Sequence, residues 1–336
     1  MAITAKELAK KLNLSESAIS LALNHKPGVS TATRKRVLAA AEAYGYDLSK
    51  HMNTKPAASR GTIYFVIYKK HGAVVGDTPF FSQLTEGVDA ACKELSCYLS
   101  IQYLHESDDI AGLLASWRKI GCIGIILLGT EMQAHDLQSF LNSEIPLVLL
   151  DNYFEEINID SVLINNVQGA YTATNYLIHK KAQQPGYLHS SYPINNFEER
   201  ADGFYKAIRK NGMSSSRCVV HQLTPSVEGA YADMRELLAR NEPLAKCYFA
   251  DNDLIAVGAV RALKEAGYRI PQDVAVVGFD NLPVCTYIEP ALTTVHVPKQ
   301  YMGQAAVRRL YSLIHESDHV SVKTEVSTSL QKRKSC

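Results

Sequence analysis

The first residues along the chain whose types suit a defined chemistry are small polar side chains near residue 15. Ser15 is predicted to cap a short helix that carries Ile19 and Leu23 on one face. Backbone amides at the start of a helix, hydroxyl groups and basic side chains are the groups with which proteins hold the phosphates of DNA. Six side chains are predicted to take this role: Ser17, Ser20, Asn24, Ser30, Thr33 and Arg34.

The same short helix also carries groups suited to the base edges of DNA. Glu16, Ser17 and Leu21 are the predicted base readers. A carboxylate accepts a hydrogen bond from a cytosine amino group, and a leucine side chain can touch a thymine methyl group. An alternative for Leu21 is that it packs inside the helical unit. The other members of the predicted DNA interface are Thr4, Ser15, Ala18 and Tyr46.

Short helices must position these side chains. Leu8 and Leu12 form the apolar face of a first helix, and Asn13 supplies a turn before the second. A third helix is predicted to start at Ser30 and to end before Gly45, because glycine commonly follows the last turn of a helix. Two short helices joined by a tight turn form a helix-turn-helix unit, whose second helix fits the major groove of DNA.

The charge distribution agrees with a DNA partner. Residues 1–60 contain ten Lys or Arg and four Asp or Glu, a net charge of +6. The remaining residues contain 25 basic and 30 acidic side chains, a net charge of −5. A basic segment releases counterions from phosphates and gains affinity that falls with salt. Charge alone would also fit a solvated surface, so the argument depends on its combination with the helical spacing.

The rest of the 336-residue chain is predicted to be an α/β body. Continuous apolar segments that read as strands alternate with amphipathic helices, and the last helix is predicted at 299–315. Such a pattern indicates parallel sheets covered on both faces, here in two doubly wound lobes with a ligand cleft between them. The predicted strands are 63–68, 99–103, 123–128, 147–150, 186–189, 218–221, 246–249 and 274–278.

Several other classes of protein are not supported by the sequence. No apolar run is long enough to span a bilayer and no export signal is visible, so a cytoplasmic location is expected. The seven cysteines form no CxxC pair and the eleven histidines have no metal-ligand spacing. Nucleotide-binding glycine motifs and nucleophile elbows are also missing. We therefore predict no catalytic residue, no metal and no cofactor.

The chain resembles the LacI/GalR family of bacterial transcription regulators over essentially its whole length. Several matching blocks occur in the same order as in that family, which is more specific than any single block. The blocks in the head are Thr4 to Ala9, Leu14-Ser15, Ala18 to Ser20, Leu23-Asn24, Val29-Ser30, Thr33-Arg34, Arg36-Val37 and Gly45-Tyr46. The blocks in the body include Pro79 to Phe81, Leu149 to Asp151, Arg200, Gly203-Phe204, Ala250 to Asp253, Asp273 to Asp280, Leu292 to Val295 and Arg333 to Ser335.

The resemblance implies a homodimeric repressor whose body is similar to periplasmic sugar-binding proteins. Each protomer would read half of a palindromic operator, and a small effector, a sugar or sugar derivative, would bind between the lobes. The predicted divisions are 1–46 for the helix-turn-helix domain, 47–60 for the hinge, and 61–336 for the effector-binding and dimerisation body. The first lobe is expected at about 61–163 and 297–322, and the second at about 164–296 and 323–336.

The family match also implies which residues bind the effector. Asp151, Arg200, Asn252 and Asp280 would grip its hydroxyl groups, because together they offer several donors and acceptors. Capping a strand end or a helix is the alternative role for Asp280 and Asn252. Further candidates are aromatic side chains that could stack on a sugar ring, Tyr68, Phe80, Phe81 and Phe197, and the strand-end residues Thr130 and Ser190.

The linker departs from the family pattern, and the departure gives a prediction. Relatives place a leucine wedge in the minor groove, where this chain has Met52 to Lys55 followed by Pro56. A lysine cannot supply an apolar wedge, so Lys55 is expected to leave the operator less bent, with Met52 as a poor substitute. Electrophoretic bending assays test this. A kink as large as that of relatives, unchanged in Met52→Ala and Lys55→Ala, would contradict it.

Two further hypotheses remain open at the level of sequence. Lys69, Lys70 and Lys299 lie near the expected mouth of the cleft and would favour an anionic effector, although solvated surface lysines are the commoner case. The rival classes are an extracytoplasmic sugar-binding protein, which would lack the helical head, and a cytosolic sugar-converting enzyme. For the enzyme, Asp151 and Asp280 could serve as acid and base, but nothing in the sequence activates them.

Overall fold

A computed structural model of the chain describes residues 5–23, 29–44, 61–70, 72, 74–76, 78–316 and 320–336. The chain divides into two compact units, residues 1–60 and residues 61–336. The first unit is called the head and the second the body. None of the helices in the described ranges is both long and apolar enough to cross a membrane.

The head contains three helices: α1 (Ala5–Leu12), α2 (Glu16–Leu23) and α3 (Thr31–Ala43). Its core is formed by apolar side chains from all three, among them Leu8, Ile19 and Val37, which are fully buried. Asn13 has a φ of 52° in the turn between α1 and α2, a left-handed conformation that asparagine tolerates. The predicted helix-turn-helix arrangement is confirmed.

Hydroxyl side chains begin α2 and α3. The Oγ atom of Ser15 accepts a hydrogen bond from the amide of Ala18 at 3.1 Å, and the Oγ atom of Ser30 accepts one from the amide of Thr33 at 3.1 Å. Each bond satisfies an amide that has no partner within its helix. These local caps explain why the chain starts a helix at both places.

The first lobe of the body is built on a six-stranded parallel sheet. Its strands are β1 (Thr62–Lys69), β2 (Tyr98–His105), β3 (Cys122–Leu128), β4 (Leu147–Leu150), β5 (Ser161–Ile164) and β11 (Lys323–Val326), in the spatial order β11-β5-β4-β3-β1-β2. Its helices are α4 (Pro79–Glu94), α5 (Ile110–Lys119), α6 (Gln138–Leu141) and α12 (Lys299–His315). A short 3-10 turn, Ala134–Leu137, precedes α6.

The second lobe has the same architecture around a second six-stranded sheet. Its strands are β6 (Gly186–Ser190), β7 (Val220–Leu223), β8 (Cys247–Ala250), β9 (Ala275–Asp280), β10 (Thr293–His296) and β12 (Ser329–Gln331), in the order β12-β10-β9-β8-β6-β7. The strand β12 runs antiparallel to β10, and the other neighbours are parallel. Its helices are α7 (Asn166–Lys181), α8 (Asn195–Lys210), α9 (Val227–Ala239), α10 (Asp253–Glu265) and α11 (Val284–Tyr287).

The two-lobed fold predicted from the sequence is confirmed, but one expected boundary is wrong. The segment Lys323–Val326 was assigned to the second lobe, whereas it pairs in parallel with β5 in the first-lobe sheet. The strands β5 and β10 were not predicted either. Each has four residues that include polar side chains, SVLI and TTVH, so neither shows the continuous apolar run that marks the equally short β4 and β8.

The chain passes between the lobes three times, after β5, between β10 and α12, and between β11 and β12. As a result, α12 comes from late in the chain but packs against α4 in the first lobe. Glycines allow this close approach, because a Cβ atom on Gly303 would lie 2.3 Å from the carbonyl oxygen of Leu84. The parallel strands of both sheets end at the cleft between the lobes, which positions the candidate site.

Candidate functional site

The helix α2 presents an exposed polar start. Glu16, Ser17 and Ser20 are exposed, and the hydroxyl of Ser17 is hydrogen-bonded to the capping hydroxyl of Ser15 at 2.9 Å. Ala18 is half-buried. At the start of α3, Ser30 is exposed, Thr33 and Arg34 are half-buried, and the hydroxyls of Ser30 and Thr33 are 2.8 Å apart. The predicted positions Thr4, Asn24, Tyr46, Met52 and Lys55 lie outside the described residues.

Leu21 is one of the three predicted base readers, and packing in the head core is its alternative role. It is half-buried, and it does not belong to the described side chains that form the core or pack against it. The partly buried side chains that do pack there are Leu12, Leu14, Val29 and Ala40. This placement favours the outward role for Leu21, which stays a prediction.

A cleft lies between the lobes and contains about 470 Å³ of space, part of which is open to solvent. Eight of the ten predicted effector residues line it: Phe80, Phe81, Thr130, Asp151, Phe197, Arg200, Asn252 and Asp280. Apart from Arg200, which lies in α8, the polar members follow or end parallel strands: Thr130 follows β3, Asp151 follows β4, Asn252 lies just beyond β8, and Asp280 is the last residue of β9. Ligands commonly bind at the carboxyl ends of parallel strands, and the sheet geometry brings these side chains together for that reason.

Two predicted residues do not line this cleft. Tyr68 is buried in the apolar cluster that also holds Tyr64 and Val66, on the face of the first-lobe sheet that packs against α5 and α6. The hydroxyl of Ser190 turns back to its own loop, where it donates to the carbonyl oxygen of Tyr192 at 3.2 Å and accepts from its amide at 3.0 Å. Tyr68 points away from the cleft because side chains alternate between the two faces of a strand. The hydroxyl of Ser190 is engaged by the backbone of its own turn.

Asp151 has a buried carboxylate oxygen in the cleft that lacks a hydrogen-bond partner among the described residues. Its Oδ2 atom accepts a hydrogen bond from the hydroxyl of Thr130 at 2.6 Å. Its Oδ1 atom is buried and has no hydrogen-bond partner among the described residues. Burial raises the pKa of Asp151 to about 6, although the Thr130 bond, the charge of Arg200 and the nearby side chain of Asn196 act to lower it. A buried acceptor without a partner costs about 1–3 kcal/mol, which a donor on a ligand would recover.

Arg200 is held by three segments of the second lobe. Its Nε donates to Asn166 Oδ1 at 2.9 Å, its Nη1 donates to the carbonyl oxygen of Asp251, and its Nη2 donates to Asp280 Oδ1 at 3.4 Å. The guanidinium carbon lies 3.9 Å from the ring centroid of Phe279, a cation–π contact. These contacts fix the guanidinium in one orientation, so it presents a rigid donor surface rather than a mobile charge.

Asp280 and Asn252 line the cleft and also make contacts within the protein. Burial raises the pKa of the Asp280 carboxyl, and the charges of Arg200 and Lys299 oppose that shift. The Oδ1 atom of Asn252 caps α10 by accepting from the amide of Ile255 at 2.8 Å. Its Nδ2 atom donates to no group of the described residues. The capping role proposed as an alternative for Asn252 is therefore present, and its amide nitrogen stays available to a ligand.

Besides Thr78, sequence reasoning missed one polar residue of the cleft, Asn196. It lines the cavity from the first turn of α8, and its Nδ2 donates across the cleft to the carbonyl oxygen of Asp151 at 3.3 Å. The neighbouring Asn195 donates to Asn152 Oδ1 at 2.8 Å and to the carbonyl oxygen of Tyr153 at 2.9 Å. Both bonds join the lobes. A signal was present, because polar residues at the start of a helix after a parallel strand face the same edge as the strand ends.

Of the three lysines expected near the cleft, Lys69 lies over the ring of Tyr103, and the other two are already paired within the protein. The Nζ atom of Lys70 lies 3.0 Å from Asp136 and 3.2 Å from Glu106. Burial lowers the pKa of Lys70, but the two carboxylates outweigh it and the pKa is raised. Lys299 is buried and donates to the carbonyl oxygens of Val297 and Asp280. Neither ammonium is available to an anionic effector in this arrangement.

Lys70 also lies beside a cluster of side chains of the types that bind metal ions. Among the described residues, one group of three, Glu106, His135 and Asp136, has ligand atoms close enough to share an ion. The Nζ atom of Lys70 lies within 3.3 Å of all three side chains. The protein's own ammonium thus supplies the positive charge at this place.

Two parts of the chain match described families. Residues 4–48 match "Bacterial regulatory proteins, lacI family", and residues 174–336 match "Periplasmic binding protein-like domain". The chain is 30% identical over 307 residues to the HTH-type transcriptional regulator GalS of Salmonella typhimurium, covering 90% of this chain and 88% of GalS. It is 28% identical to the HTH-type transcriptional repressor PurR of Mannheimia succiniciproducens, covering 99% of this chain and 98% of PurR.

Solved structures give the same result at the level of fold. The complex of the transcriptional regulator CelR with cellobiose has a TM-score of 0.74 at 26% identity, over 99% of this chain and 100% of CelR. The lac repressor dimer bound to operator and the anti-inducer ONPF has a TM-score of 0.71 at 21% identity, over 100% of this chain and 99% of the repressor chain. The second likeness shows the fold alone. The named relatives are regulators of transcription, not enzymes.

Proposed function

The chain belongs to the LacI family of bacterial regulatory proteins and is a DNA-binding transcriptional regulator, and from this premise we propose that it is a repressor controlled by a neutral polyhydroxylated effector. It acts as a homodimer on a palindromic operator, in the cytoplasm where bacterial DNA lies. The effector binds between the lobes of the body and changes operator affinity.

The observation that carries the effector proposal is the buried Oδ1 atom of Asp151. It lies in a cleft with aromatic walls and lacks a donor among the described residues. A hydroxyl group supplies that donor, and the amide nitrogen of Asn252 supplies a second polar contact. Phe80 and Phe197 offer the apolar surface that the carbon–hydrogen face of a sugar ring packs against. The cellobiose held by CelR, a structure of similar fold, supports a sugar.

The effector is proposed to be neutral because the cations near the cleft are already paired within the protein. Asp280 faces Arg200, and Lys299 donates to the carbonyl oxygen of Asp280. Lys70 is paired with Asp136 and Glu106. An anionic effector would bring its charge toward the buried carboxyl of Asp151 without a free cation to compensate, which is costly inside a protein. These pairings disfavour the anionic hypothesis.

The contacts that join the lobes give a route for control. Asn196 reaches the carbonyl oxygen of Asp151, and Asn195 reaches Asn152, so the second lobe is hydrogen-bonded to the segment after β4. An effector that also bridges Asp151 and Asn252 stabilises this arrangement of the lobes over others. A ligand shifts such an equilibrium only by its difference in affinity for the two states, typically about 1–3 kcal/mol.

The proposed dimer has a candidate surface on the first lobe. The strand β2 lies at the edge of its sheet, and its side chains Tyr98, Ile101 and Tyr103 are 62%, 41% and 56% exposed. Ile101 and Tyr103 share a groove with side chains of α4. An apolar edge strand is prone to association, and a second copy of the chain would cover it. A palindromic operator requires two heads, which is why a second copy is the occupant we propose.

A substitution on this edge tests the dimer. Ile101→Asp is expected to raise the dimer dissociation constant at least 100-fold, because a symmetric interface loses the side chain twice at about 1.5–3 kcal/mol each. Sedimentation equilibrium measures the effect. Ile120→Asp is the control, since Ile120 is 71% exposed and lies outside β2 and α4. If Ile101→Asp sediments as the wild type does, this surface is not the interface.

The regulatory proposal is tested on the full chain with DNA from upstream of its own gene. Footprinting is expected to show protection of a palindrome at nanomolar protein, with random duplex bound far more weakly. A panel of neutral sugars (D-glucose, D-galactose, D-ribose and cellobiose) and acids (D-galacturonate and glucose 6-phosphate) is then added. A neutral sugar that changes operator affinity supports the proposal. A response to acids alone, or no palindrome preference with or without the panel, would overturn it.

A further inference from the structure

The loop between β1 and α4 forms part of the cleft wall through Val74 and Thr78. Four backbone amides among its described residues point at one side chain. The amides of Lys70 and Gly72 donate to Glu131 Oε2 at 3.0 and 2.8 Å, and those of Val74 and Val75 donate to Glu131 Oε1 at 2.7 and 2.9 Å. The carboxylate thus holds four positions of a loop about 60 residues distant in sequence.

This convergence of backbone amides is the geometry with which proteins bind anions. Successive amides that face one point form a concave site of partial positive charge, called a nest. Here the nest holds a carboxylate of the same chain, because Glu131 is only 4% exposed and follows β3 at the base of the loop. Gly72 has a φ of 64°, a left-handed conformation that lets the chain wrap around the carboxylate. Charge-assisted bonds of this kind are about twice as strong as neutral ones.

Glu131 and its neighbour Thr130 act on different parts of the cleft. Thr130 lines the cavity and orients the Asp151 carboxylate. Glu131, the next residue, does not line the cavity. Two consecutive residues after β3 therefore shape different parts of the cleft. Thr130 orients the Asp151 carboxylate, and Glu131 holds the loop that carries Val74.

We propose that Glu131 is a positioning residue for effector binding, which acts by filling the backbone nest of the β1–α4 loop and never touches the effector. The proposal rests on the effector function given above. The cleft wall formed by Val74 and Thr78 has the shape that binds the effector only while an anion occupies the nest. Without the carboxylate, four amides lose their acceptor and the loop takes other conformations.

Two variants of the full chain separate this role from a merely structural one. Glu131→Gln keeps the size but turns an NH₂ group toward two of the four amides. Its affinity for the tightest-binding neutral sugar of the panel is expected to fall at least tenfold. Glu131→Ala empties the nest, and millimolar formate is expected to restore most of its lost sugar affinity. Formate cannot restore Glu131→Gln, because the amide side chain blocks the nest.

Two controls separate the effect of the loop from the loss of a nearby carboxylate and from a general effect of salt. Glu106→Gln removes a carboxylate that pairs with Lys70 but accepts none of the four loop bonds, so its sugar affinity is expected to stay within twofold of wild type. Sodium chloride at the ionic strength of the formate tests for a general salt effect and should not rescue Glu131→Ala. Hydrogen exchange at the amides of Gly72, Val74 and Val75 should quicken in both Glu131 variants.

Three results would overturn the proposal: sugar affinity of Glu131→Gln within twofold of wild type, unchanged exchange at the loop amides, or rescue of Glu131→Ala by chloride as well as by formate. Failure of the effector function gives a different pattern. In that case no panel sugar binds the wild type, while formate still slows exchange of the loop amides in Glu131→Ala. The two failures are therefore distinguishable in the same set of measurements.

Discussion

Asp151→Asn is expected to weaken effector binding about 10- to 100-fold. The hydroxyl of Thr130 needs an acceptor at the position of Oδ2, so the asparagine oxygen must lie there. Its NH₂ group then replaces the buried Oδ1 atom, and an effector hydroxyl meets a donor where it needs an acceptor. A hydrogen bond to a charged group is worth about 1.5–3 kcal/mol, which corresponds to this range. Isothermal titration calorimetry with the tightest-binding neutral sugar of the panel measures the loss.

The matched control is Asp89→Asn, because Asp89 is a carboxylate of the first lobe that pairs with Lys93 on the surface of α4. Its affinity for the same sugar is expected to equal that of wild type. An Asp151→Asn protein that binds the sugar within threefold of wild type would show that the Asp151 acceptor does not contribute to recognition.

The raised pKa of Asp151 adds a pH dependence with a definite sign. The pKa is about 6 in the effector-free protein. A hydroxyl donor binds the ionised carboxylate more tightly, so bound effector lowers this pKa. Affinity should therefore rise as pH increases from about 5 to 6 and level off above 7. Asp151→Asn should lose that part of the dependence. A wild-type profile that is flat, or that falls with rising pH, contradicts the assignment.

Arg200→Met is expected to lower the free energy of unfolding by about 3–5 kcal/mol. The guanidinium is buried and joins Asn166, the carbonyl oxygen of Asp251 and the carboxylate of Asp280. Its removal leaves these acceptors buried with one partner fewer, and breaking a buried ion pair from one side costs this much. Urea unfolding followed by circular dichroism and by the single tryptophan, Trp117, measures the change.

Two companion variants identify the cause of the loss. Arg209→Met removes an exposed arginine of the same helix and is expected to change stability by less than about 0.5 kcal/mol. The double variant Arg200→Met with Asp280→Asn removes the uncompensated charge and should recover part of the stability. A loss below about 1 kcal/mol in Arg200→Met, or a double variant that is strictly additive, would mean that the buried pair has little effect.

The sequence predicted elements whose signals are local. The helix α12 has the predicted bounds, because an amphipathic run follows Pro298 and continues without interruption to His315. The hydroxyl caps at Ser15 and Ser30 also depend on neighbours within three residues. The short strands β5 and β10 were missed, because their sequences SVLI and TTVH include polar residues and lack the continuous apolar run of the equally short β4 and β8.

In the candidate site, too, residues within sequence motifs were predicted, whereas contacts between residues distant in sequence were not. Asp151 and Asp280 were predicted from their motifs at strand ends, and the cleft does bring them together. The ion pairs of Lys70 were not foreseeable, because Asp136 lies 66 residues further along the chain. The role of Glu131 could not be predicted at all. Its partners are backbone amides, which every residue type except proline supplies, so no side-chain pattern marks them.

The path of the chain between the lobes has a consequence for synthesis on the ribosome. The helix α12 and the strand β11, residues 299–326, complete the first lobe, although most of that lobe is encoded before residue 165. During translation the apolar face of α4 therefore stays uncovered until nearly the whole sequence has emerged. The head is complete much earlier. A nascent product that stops before residue 299 would carry a finished DNA-contacting head on a body with exposed apolar surface, which chaperones and proteases recognise.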